Sequence, residues 1–385
     1  MNIVLLDLDN HLRFAPLSLT RPIGNLRCGM WTNDERWKHY FSDASVSYKT
    51  EDYLSDKYPL NQKDDNYWID ACVIPTPELV VEIGKLMKDE SLYVNGKFVA
   101  FRGKDFSQEN PQKKEIDSFL YLDNRWSLYQ LNEKVLKADF DYYIKDKTSF
   151  GLSPSNTLIG PKENLFIEEG ARIECSVVNV ASGPVYIGVN AEVMEGSLIR
   201  GGLALSEGAT LKLGTKIYGP TSIGPYCKVG GEVTNSVFQA YSNKGHDGFV
   251  GNSLIGEWCN LGADTNTSNL KNNYSKVRAY DYNTGNMEDT DVQFMGLSMG
   301  DHCSSGINTM FNTATVVGVS STIFGQGFPP KYIPDFSWGG FKKDSVFEFE
   351  KALEVAKNMM SRRDRELSDK DIKVLKHLYS ERQNY

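Results

Sequence analysis

The chain has 385 residues, 40% of them hydrophobic and 24% charged, a composition typical of a soluble globular protein with two or three domains. Its formal net charge of −8 argues against nucleic acid or an anionic membrane as a partner, while small anionic substrates stay open. Six scattered cysteines without a CxxC pair argue against disulfides and structural zinc, and they indicate a cytoplasmic protein. The first residues do not form a signal peptide, and no apolar run reaches transmembrane length.

The N-terminal region begins with an apolar run, Asn2–Leu6, that we predict to be a buried strand. A loop rich in proline and arginine follows it, at residues 11–29. Loops at this position of α/β folds bind phosphates, and arginine binds phosphate bidentately, so Arg13, Arg21 and Arg27 are candidate nucleotide or phosphate ligands. The alternative is a surface loop with solvated arginines, and the residues alone do not decide between the two.

The rest of this region alternates predicted helices and strands. A helix is predicted over residues 76–89, because Thr76 can cap its start and Pro77 suits its first position. Asn95-Gly96 between two short apolar runs predicts a hairpin. A second helix is predicted over residues 126–139. We therefore predict a shortened α/β domain of the Rossmann-like, nucleotidyltransferase-like kind over residues 1–150.

The middle of the chain carries an aliphatic residue at every sixth position. A period of six fits neither a helix nor an ordinary strand, but it fits a coil with three flat sides, each sending one apolar residue to a shared axis. We therefore predict a left-handed parallel β-helix over residues 151–340. The positions in register are Ile187, Val193, Ile199, Leu205, Leu211, Ile217, Ile223 and Val229.

The repeat is interrupted twice. A polar loop is predicted at residues 242–248, and a second excursion at residues 267–289. The period resumes at Phe249, Ile255 and Leu261 after the first interruption, and at Met299 after the second. Phe328-Pro329-Pro330 is predicted to end the coil.

The last segment, residues 341–385, is predicted to be a helical tail. One amphipathic helix is expected from Asp344 to Arg363, with an apolar stripe at spacings of three and four. Ser368 and Asp371 form a capping-box pattern at the start of another.

Functional side chains are expected where the regular coil is interrupted. His246 lies between Gly245 and Gly248, so a substrate could approach it, and a neutral imidazole can accept the proton of an attacking amine. The alternative is an exposed loop histidine without a role. His302 is the rival candidate, with a structural histidine as its own alternative.

Amides and glycines follow His246 in the chain. Asn260 and Asn269 offer uncharged donors and acceptors suited to sugar hydroxyls, although an asparagine ladder in the coil is the simpler explanation. Gly262-Ala263 permits close approach to the backbone.

Several of these motifs resemble known transferases. The loop with Arg13, Pro16, Leu17 and Pro22 is similar to the nucleotide-binding loop of sugar-1-phosphate nucleotidyltransferases. Residues 242–274 resemble the acetyltransferase half of GlmU enzymes, with its K-x-G-H and N-x-G-A-G-T motifs. Nearly the whole chain resembles a GlmU-like family with a shortened N-terminal domain. Further motifs of that family are present at Thr20-Arg21-Pro22, Gly230 to Val233 and Phe336 to Gly340.

The resemblance implies roles for individual residues. His246 would be the general base and Glu232 an acid near it. Gly262 and Ala263 would contact acetyl-CoA. The implied ligands of the sugar phosphate are Lys216, Lys244, Phe249, Asn260 and Asn269.

The function that the resemblance implies is acetyl-CoA-dependent N-acyl transfer to an amino sugar-1-phosphate of the glucosamine-1-phosphate type, in a homotrimer. Sugar-1-phosphate nucleotidyl transfer, with Mg²⁺, would belong to the N-terminal domain. Two alternatives stay open. The main activity could be that of a UDP- or dTDP-sugar pyrophosphorylase, or the chain could be a non-catalytic scaffold that binds a nucleotide sugar.

Overall fold

The computed structural model describes residues 1–107, 111–114, 120–341 and 345–382, with backbone alone for residues 111–114. The N-terminal region contains ten strands and four helices among the described residues. The strands are β1 Asn2–Leu6, β2 Arg27–Cys28, β3 Trp31–Thr32, β4 Ser45–Lys49, β5 Asn66–Asp70, β6 Val73–Ile74, β7 Glu90–Val94, β8 Lys97–Gly103, β9 Pro111–Lys114 and β10 Leu120–Tyr121. The helices are α1 Asn33–Tyr40, α2 Pro77–Gly84, α3 Ser127–Gln130 and α4 Asn132–Tyr143.

The main sheet of this region has the strand order β4-β1-β5-β8-β7-β9. Strand β1 lies parallel to both β4 and β5 and is fully buried, as its apolar sequence predicts. The predicted hairpin at Asn95-Gly96 is confirmed between β7 and β8. Helix α2 starts as predicted, with the Thr76 hydroxyl accepting from the Leu79 amide, but it ends at Gly84 rather than at residue 89. The second predicted helix is split into α3 and α4.

The middle of the chain is a parallel β-helix with three sheets, which we name the first, second and third faces. The first face contains Thr157–Ile159, Val177–Asn179, Leu198–Arg200, Lys216–Tyr218, Glu232–Thr234 and Phe249–Gly251. The second contains Leu165–Ile167, Val185–Ile187, Leu203–Leu205, Thr221–Ile223, Val237–Phe238, Leu254–Ile255, Ser298–Met299, Val316–Val317 and Tyr332–Ile333. The third contains Arg172–Ile173, Glu192–Val193, Thr210–Leu211, Lys228–Val229, Asn243–Lys244, Asn260–Leu261, Ser304–Ser305, Thr322–Ile323 and Trp338–Gly339.

The strands send apolar side chains into the coil, and the eight aliphatic residues in register are all buried in its core. This confirms the origin of the period of six. Two predictions about the first interruption are wrong. Residues 242–248 do not leave the coil, because Asn243–Lys244 pairs with Lys228–Val229. Val250, not Phe249, points inward and pairs with Val233.

The prediction that Phe328-Pro329-Pro330 ends the coil is wrong, although the last strands lie within the predicted range of residues 151–340. The prolines after Phe328 do not stop it, since strands at Tyr332–Ile333 and Trp338–Gly339 extend the second and third faces. The second excursion is confirmed, and it contains a hairpin of strands Arg278–Asp281 and Asn286–Asp289. Two further strands, Asn266–Thr267 and Met310–Phe311, pair with each other.

The N-terminal region packs on the second face. Val237 and Leu254 of that face belong to the same apolar cluster as β1. The Ser222 hydroxyl donates to the Gly29 carbonyl (2.7 Å), and the Asn132 amide donates to the Pro220 carbonyl (3.1 Å). The two regions therefore share one buried core, which fixes the position of the N-terminal loop relative to the coil.

Two helices close the chain, α5 Phe349–Ser361 and α6 Asp369–Glu381. Asp344, where the first was predicted to start, lies outside the described residues, and the helix begins at Phe349. The capping box at Ser368 and Asp371 is confirmed. Helix α6 packs Leu375 and Leu378 into an apolar cluster with Leu19 of the N-terminal loop. None of the helices among the described residues is both long and apolar enough to cross a bilayer.

Asp335 near the end of the coil predicts a pH-dependent stability. Its carboxylate is buried, and one oxygen accepts from the Val319 amide (2.5 Å). Burial raises the pKa of Asp335 to about 7. The folded protein therefore keeps a proton that the unfolded chain releases near pH 4, and its free energy of unfolding falls as pH rises from about 4 to 7. We expect Asp335→Asn to stabilise the protein by about 4 kcal/mol at most at pH 8, and by only about 1 kcal/mol at pH 4.5.

Urea unfolding of both proteins at pH 4.5 and pH 8 measures this difference. Asp123→Asn, at an exposed position, is the control and is expected to show no such pH dependence. A stability difference for Asp335→Asn that is equal at the two pH values would contradict the prediction.

Candidate functional site

A cleft of about 790 Å³ separates the third face from helix α5, and we call it the groove. His246 lies at its edge, exposed, on the corner where the third face turns into the first. Asn260, Gly262 and Ala263 of the next coil line the groove as well. The structure therefore brings together four of the residues singled out from the sequence.

The groove is strongly cationic. Lys212 and Lys228 come from the coil, and Arg362 and Arg363 come from the end of α5. Arg363 donates to the side-chain oxygen of Asn243 (2.9 Å), which ties the helix to the third face. The charge of Arg363 and partial burial lower the pKa of Lys228. Four cations on two walls fit a ligand that carries phosphate groups.

Three aromatic side chains stack along one corner of the coil beside the groove. Tyr241 lies parallel to Trp258, with ring centroids 4.2 Å apart, and Tyr226 continues the stack at 5.3 Å. Tyr241 and Trp258 line the groove itself. A flat aromatic wall next to several cations suits a ligand that combines a ring with phosphates.

A second cleft of about 610 Å³ begins on the other side of His246, and we call it the corner pocket. Asp247 and Asp264 line it, together with Gly230 and Gly231. Gly231 has a φ of +72°, and a Cβ at this position would lie 2.9 Å from the His246 carbonyl oxygen. Glycine is therefore required beneath the turn that carries the imidazole. Lys212 lines this pocket as well as the groove, so the charged lining of the corner pocket is two acids and one lysine, whereas the groove has four cations.

Three of the remaining predicted residues lie around the corner, on the first face. Lys216, Glu232 and Phe249 are neighbours in register on three consecutive strands. Lys216 and Glu232 line a third cleft of about 610 Å³ on that face. The Tyr218 hydroxyl donates to the Glu232 carboxylate (2.6 Å). Burial and then this carboxylate raise the pKa of Tyr218 to about 12. Within one chain, these side chains and His246 open into different clefts.

Asn269 lies beyond them and lines none of these three clefts. Its side-chain amide donates to the side-chain oxygen of Asn252 (2.8 Å). This contact links two asparagines that are 17 positions apart, about one coil.

Lys244 does not face any of the clefts. Its side chain is 1% exposed and points into the coil, where its ammonium group donates to the carbonyls of His246 (2.6 Å) and Asp247 (3.1 Å). Lys244, which the resemblance implies as a substrate ligand, thus binds the turn at His246 and Asp247 from inside the coil.

The arginines of the N-terminal loop require a correction. Arg21 is buried and forms ion pairs with Glu257 (2.6 Å) and Asp301 (2.5 Å) of the coil. Arg27 is buried too, and donates to the carbonyls of Gln239 (3.1 Å) and Met30 (2.6 Å). Neither guanidinium is open to a phosphate, because both fasten the loop to the coil.

Arg13 is the exposed member of the three. A cleft of about 530 Å³ lies at the carboxyl ends of β1 and β4, where α/β folds bind ligands, but Arg13 does not line it. Its charged lining consists of acids and one lysine, a poor match for a triphosphate. These residues are Asp7, Asp9, Glu51, Asp52 and Lys49.

The described residues of the N-terminal region do not present a metal site. Asp7 already accepts hydrogen bonds from the Ile23 amide (3.0 Å) and His11 (2.8 Å), and Asp70 accepts from the Tyr121 hydroxyl (2.8 Å). Burial raises the pKa of Asp70. Within the part of the chain that the structure describes, no three His, Cys, Asp or Glu residues are placed to hold a metal ion. The residues present therefore do not fit the Mg²⁺ that nucleotidyl transfer uses.

His302, the rival histidine, lies at the junction of the coil, the N-terminal region and α6, and borders a small cavity of about 30 Å³. Burial lowers its pKa, so the neutral form is favoured. It does not line the groove.

Sequence reasoning missed the cations and the aromatic wall of the groove. Lys212 and Lys228 each adjoin an inward aliphatic residue of the third face, a signal that the period of six contains. Arg362 and Arg363 carry no such signal, because nothing in the sequence shows that α5 folds back over the coil.

Residues 3–148 match the model of a family described as sugar nucleotidyl transferase. The bifunctional protein GlmU of Methanocaldococcus jannaschii is 33% identical over 87 residues, which are 23% of this chain and 21% of that protein. The matched segment thus spans about a fifth of the length of this curated relative.

Two solved structures are similar over most of their own length. The alignment with the polySia-specific acetyltransferase NeuO covers 54% of this chain and 94% of NeuO. The sequence identity is 11% and the TM-score is 0.23. The UDP-N-acetylglucosamine acyltransferase of Arabidopsis is covered to 94% by 60% of this chain, at 12% identity and a TM-score of 0.18. Similarity at these TM-scores adds no argument about this chain.

Proposed function

Because the chain is GlmU-like, with a sugar nucleotidyl transferase region at residues 3–148, we propose that it transfers an acyl group from acetyl-CoA to the amino group of an amino sugar-1-phosphate. The observation that carries the proposal is the position of His246 between a cleft lined by four cations and a second cleft that adds two carboxylates, Asp247 and Asp264. The cationic groove suits the phosphates of the acyl donor, and its aromatic wall suits the adenine ring. The carboxylates of Asp247 and Asp264 in the corner pocket suit the amino group of the acceptor, which attacks as the neutral amine.

The chemistry needs one base and one polarising group. A ring nitrogen of His246 takes the proton from the amine as the amine nitrogen attacks the thioester carbon. The new N–C bond forms, the C–S bond breaks, and the proton passes from His246 to the departing thiolate. We assign the backbone amide of Ala263, at the edge of both clefts, to the thioester oxygen.

A homotrimer belongs to the same proposal. The first face exposes Ile159, Leu198 and Tyr218 beside Lys216 and Glu232. A second copy packed on this face would bring the phosphate-binding and acidic side chains of one chain towards the histidine of another. Sedimentation velocity measures the assembly, and a monomer at micromolar concentration would contradict it.

The proposal is tested by incubating the purified full chain with acetyl-CoA and glucosamine-1-phosphate and measuring release of free thiol. A panel of other amino sugar phosphates and nucleotide-linked amino sugars defines the acceptor. Thiol release that depends on an amino sugar supports acyl transfer. No release with any member of the panel contradicts it and leaves nucleotidyl transfer or the scaffold function.

The cations of the groove give a further prediction. We expect Arg362→Glu to raise KM for acetyl-CoA about tenfold with little change in kcat, because one phosphate contact becomes a repulsion. The effect should shrink as salt is added, since exposed charges are screened. Lys357→Glu, on the same helix but outside the groove, is the matched control. An equal effect of both variants would mean that general charge, not the groove, binds the donor.

Sugar-1-phosphate nucleotidyl transfer is the second candidate, favoured by the family match over residues 3–148. Its test is release of pyrophosphate from UTP or dTTP in the presence of a sugar-1-phosphate and Mg²⁺. Arg13→Ala is expected to abolish this release if the exposed arginine binds the nucleotide. The acidic cleft and the engaged Arg21 and Arg27 argue for acyl transfer as the main activity.

A further inference from the structure

Lys244 occupies a position that belongs to the aliphatic interior of the coil. Its strand pairs with Lys228–Val229, so that Lys244 lies next to Val229 in the inward row. Val193 and Leu211 precede it in that row, and Leu261 follows it. Burying an ammonium group costs free energy unless its protons are hydrogen-bonded. A lysine among aliphatic side chains therefore indicates a specific role for its hydrogen bonds.

The ammonium group is bound by the turn that carries His246. Its two acceptors are the carbonyl oxygens of His246 and Asp247, at 2.6 and 3.1 Å. Hydrogen bonds from a charged donor are stronger than those between neutral groups, so the turn is tied firmly to the inside of the coil.

The same turn is fixed on its outer sides by backbone bonds from the neighbouring coils. The Asp264 amide donates to the Asp247 carbonyl (3.0 Å), and the Glu232 amide donates to the Gly248 carbonyl (3.1 Å). Lys244 supplies the interior contact, which a backbone group cannot reach. Without it, the His246 carbonyl would lose its partner inside the coil.

We propose that Lys244 is a positioning residue, which fixes the backbone of His246 from within the coil and so aims the imidazole into the space between the groove and the corner pocket. The inference rests on the proposed acyl transfer for its kinetic consequence, although the contact itself is independent of the reaction. Lys244 does not touch the substrate.

Lys244→Met tests this proposal, because methionine fills the same space without the ammonium group. We expect kcat to fall about a hundredfold, the usual cost of a displacement of about 1 Å, with KM for acetyl-CoA unchanged. The unfolding midpoint is expected to stay equal or to rise, because a buried charge has been removed. Leu211→Met, at an interior position of the same row two coils earlier, is the matched control and should keep the kcat of the wild type.

A second measurement does not depend on activity. Hydrogen exchange of the Glu232 and Asp264 amides reports on the turn, since their acceptors are its carbonyls. We expect exchange at these two amides to be at least about tenfold faster in Lys244→Met and unchanged in Leu211→Met. The rest of the coil should exchange as in the wild type.

The outcomes separate the two proposals. If the wild type transfers no acyl group but exchange becomes faster only at the turn, the positioning role stands and the proposed function fails. Wild-type kcat and exchange in Lys244→Met would overturn the positioning role. A lower unfolding midpoint with faster exchange along the whole coil would overturn it as well, because Lys244 would then serve general stability.

Discussion

Replacing His246 with alanine is expected to lower kcat for acyl transfer by about 10²- to 10⁴-fold, the contribution of a positioned general base. The side chain is exposed at a corner of the coil, so the free energy of unfolding should change by less than about 0.5 kcal/mol. KM for acetyl-CoA should change little, since the cations of the groove bind the donor. The measurement is the rate of thiol release at saturating acetyl-CoA and amino sugar.

Two further variants sharpen this test. His246→Gln keeps the size and polarity of the side chain but cannot take a proton, so it should be as slow as the alanine variant. His377→Gln removes a histidine of α6 that lies outside the groove, and it should leave kcat unchanged. A His246→Gln variant with the rate of the wild type would exclude His246 as the base.

Replacing Arg21 with alanine is expected to lower the free energy of unfolding by about 3 to 5 kcal/mol. The substitution leaves the buried carboxylate of Asp301 with the Thr20 hydroxyl and the Glu257 amide but without a counter-charge. Burial alone would lower the pKa of Arg21, but the carboxylates of Asp301 and Glu257 outweigh it and hold the pKa well above its usual value. Urea unfolding at pH 7 measures the loss.

The matched control is Arg102→Ala, which removes an arginine from an exposed pair with Asp65 (2.8 Å). Exposed pairs contribute about 1 kcal/mol or less, so this variant should be only slightly destabilised. An equal decrease in the free energy of unfolding in both variants would show that the buried pair stabilises the protein no more than the exposed pair. Under the proposed function, neither arginine variant should change KM for acetyl-CoA in protein that remains folded.

The coil could be predicted from the sequence because its signal is periodic. Each inward residue from Ile187 to Val229 meets the same environment, so the pattern repeats and the fold follows from it. The coils after Val229 were harder to place, because a lysine stands at one inward position and a serine, Ser305, at another. The pattern failed where polar residues entered the interior beside the candidate site.

The candidate site was only partly predictable for a different reason. His246, Asn260 and Ala263 are close in sequence as well as in space, so a local motif identifies them. Arg362 lies about a hundred residues further on, and only the folded path of α5 brings it to the groove. The same holds for Arg21. The sequence shows that it is charged, but it does not show that Glu257 and Asp301 already form ion pairs with its guanidinium group.

The pair between Arg21 and Asp301 joins residues that are 280 positions apart. At about 5 to 20 residues per second on the ribosome, roughly 15 to 55 seconds pass between the synthesis of the two partners. During that interval Glu257 is synthesised first and Asp301 later, so the two acids become available to Arg21 one after the other. The N-terminal loop therefore completes its contacts with the coil only after residue 301 has been synthesised.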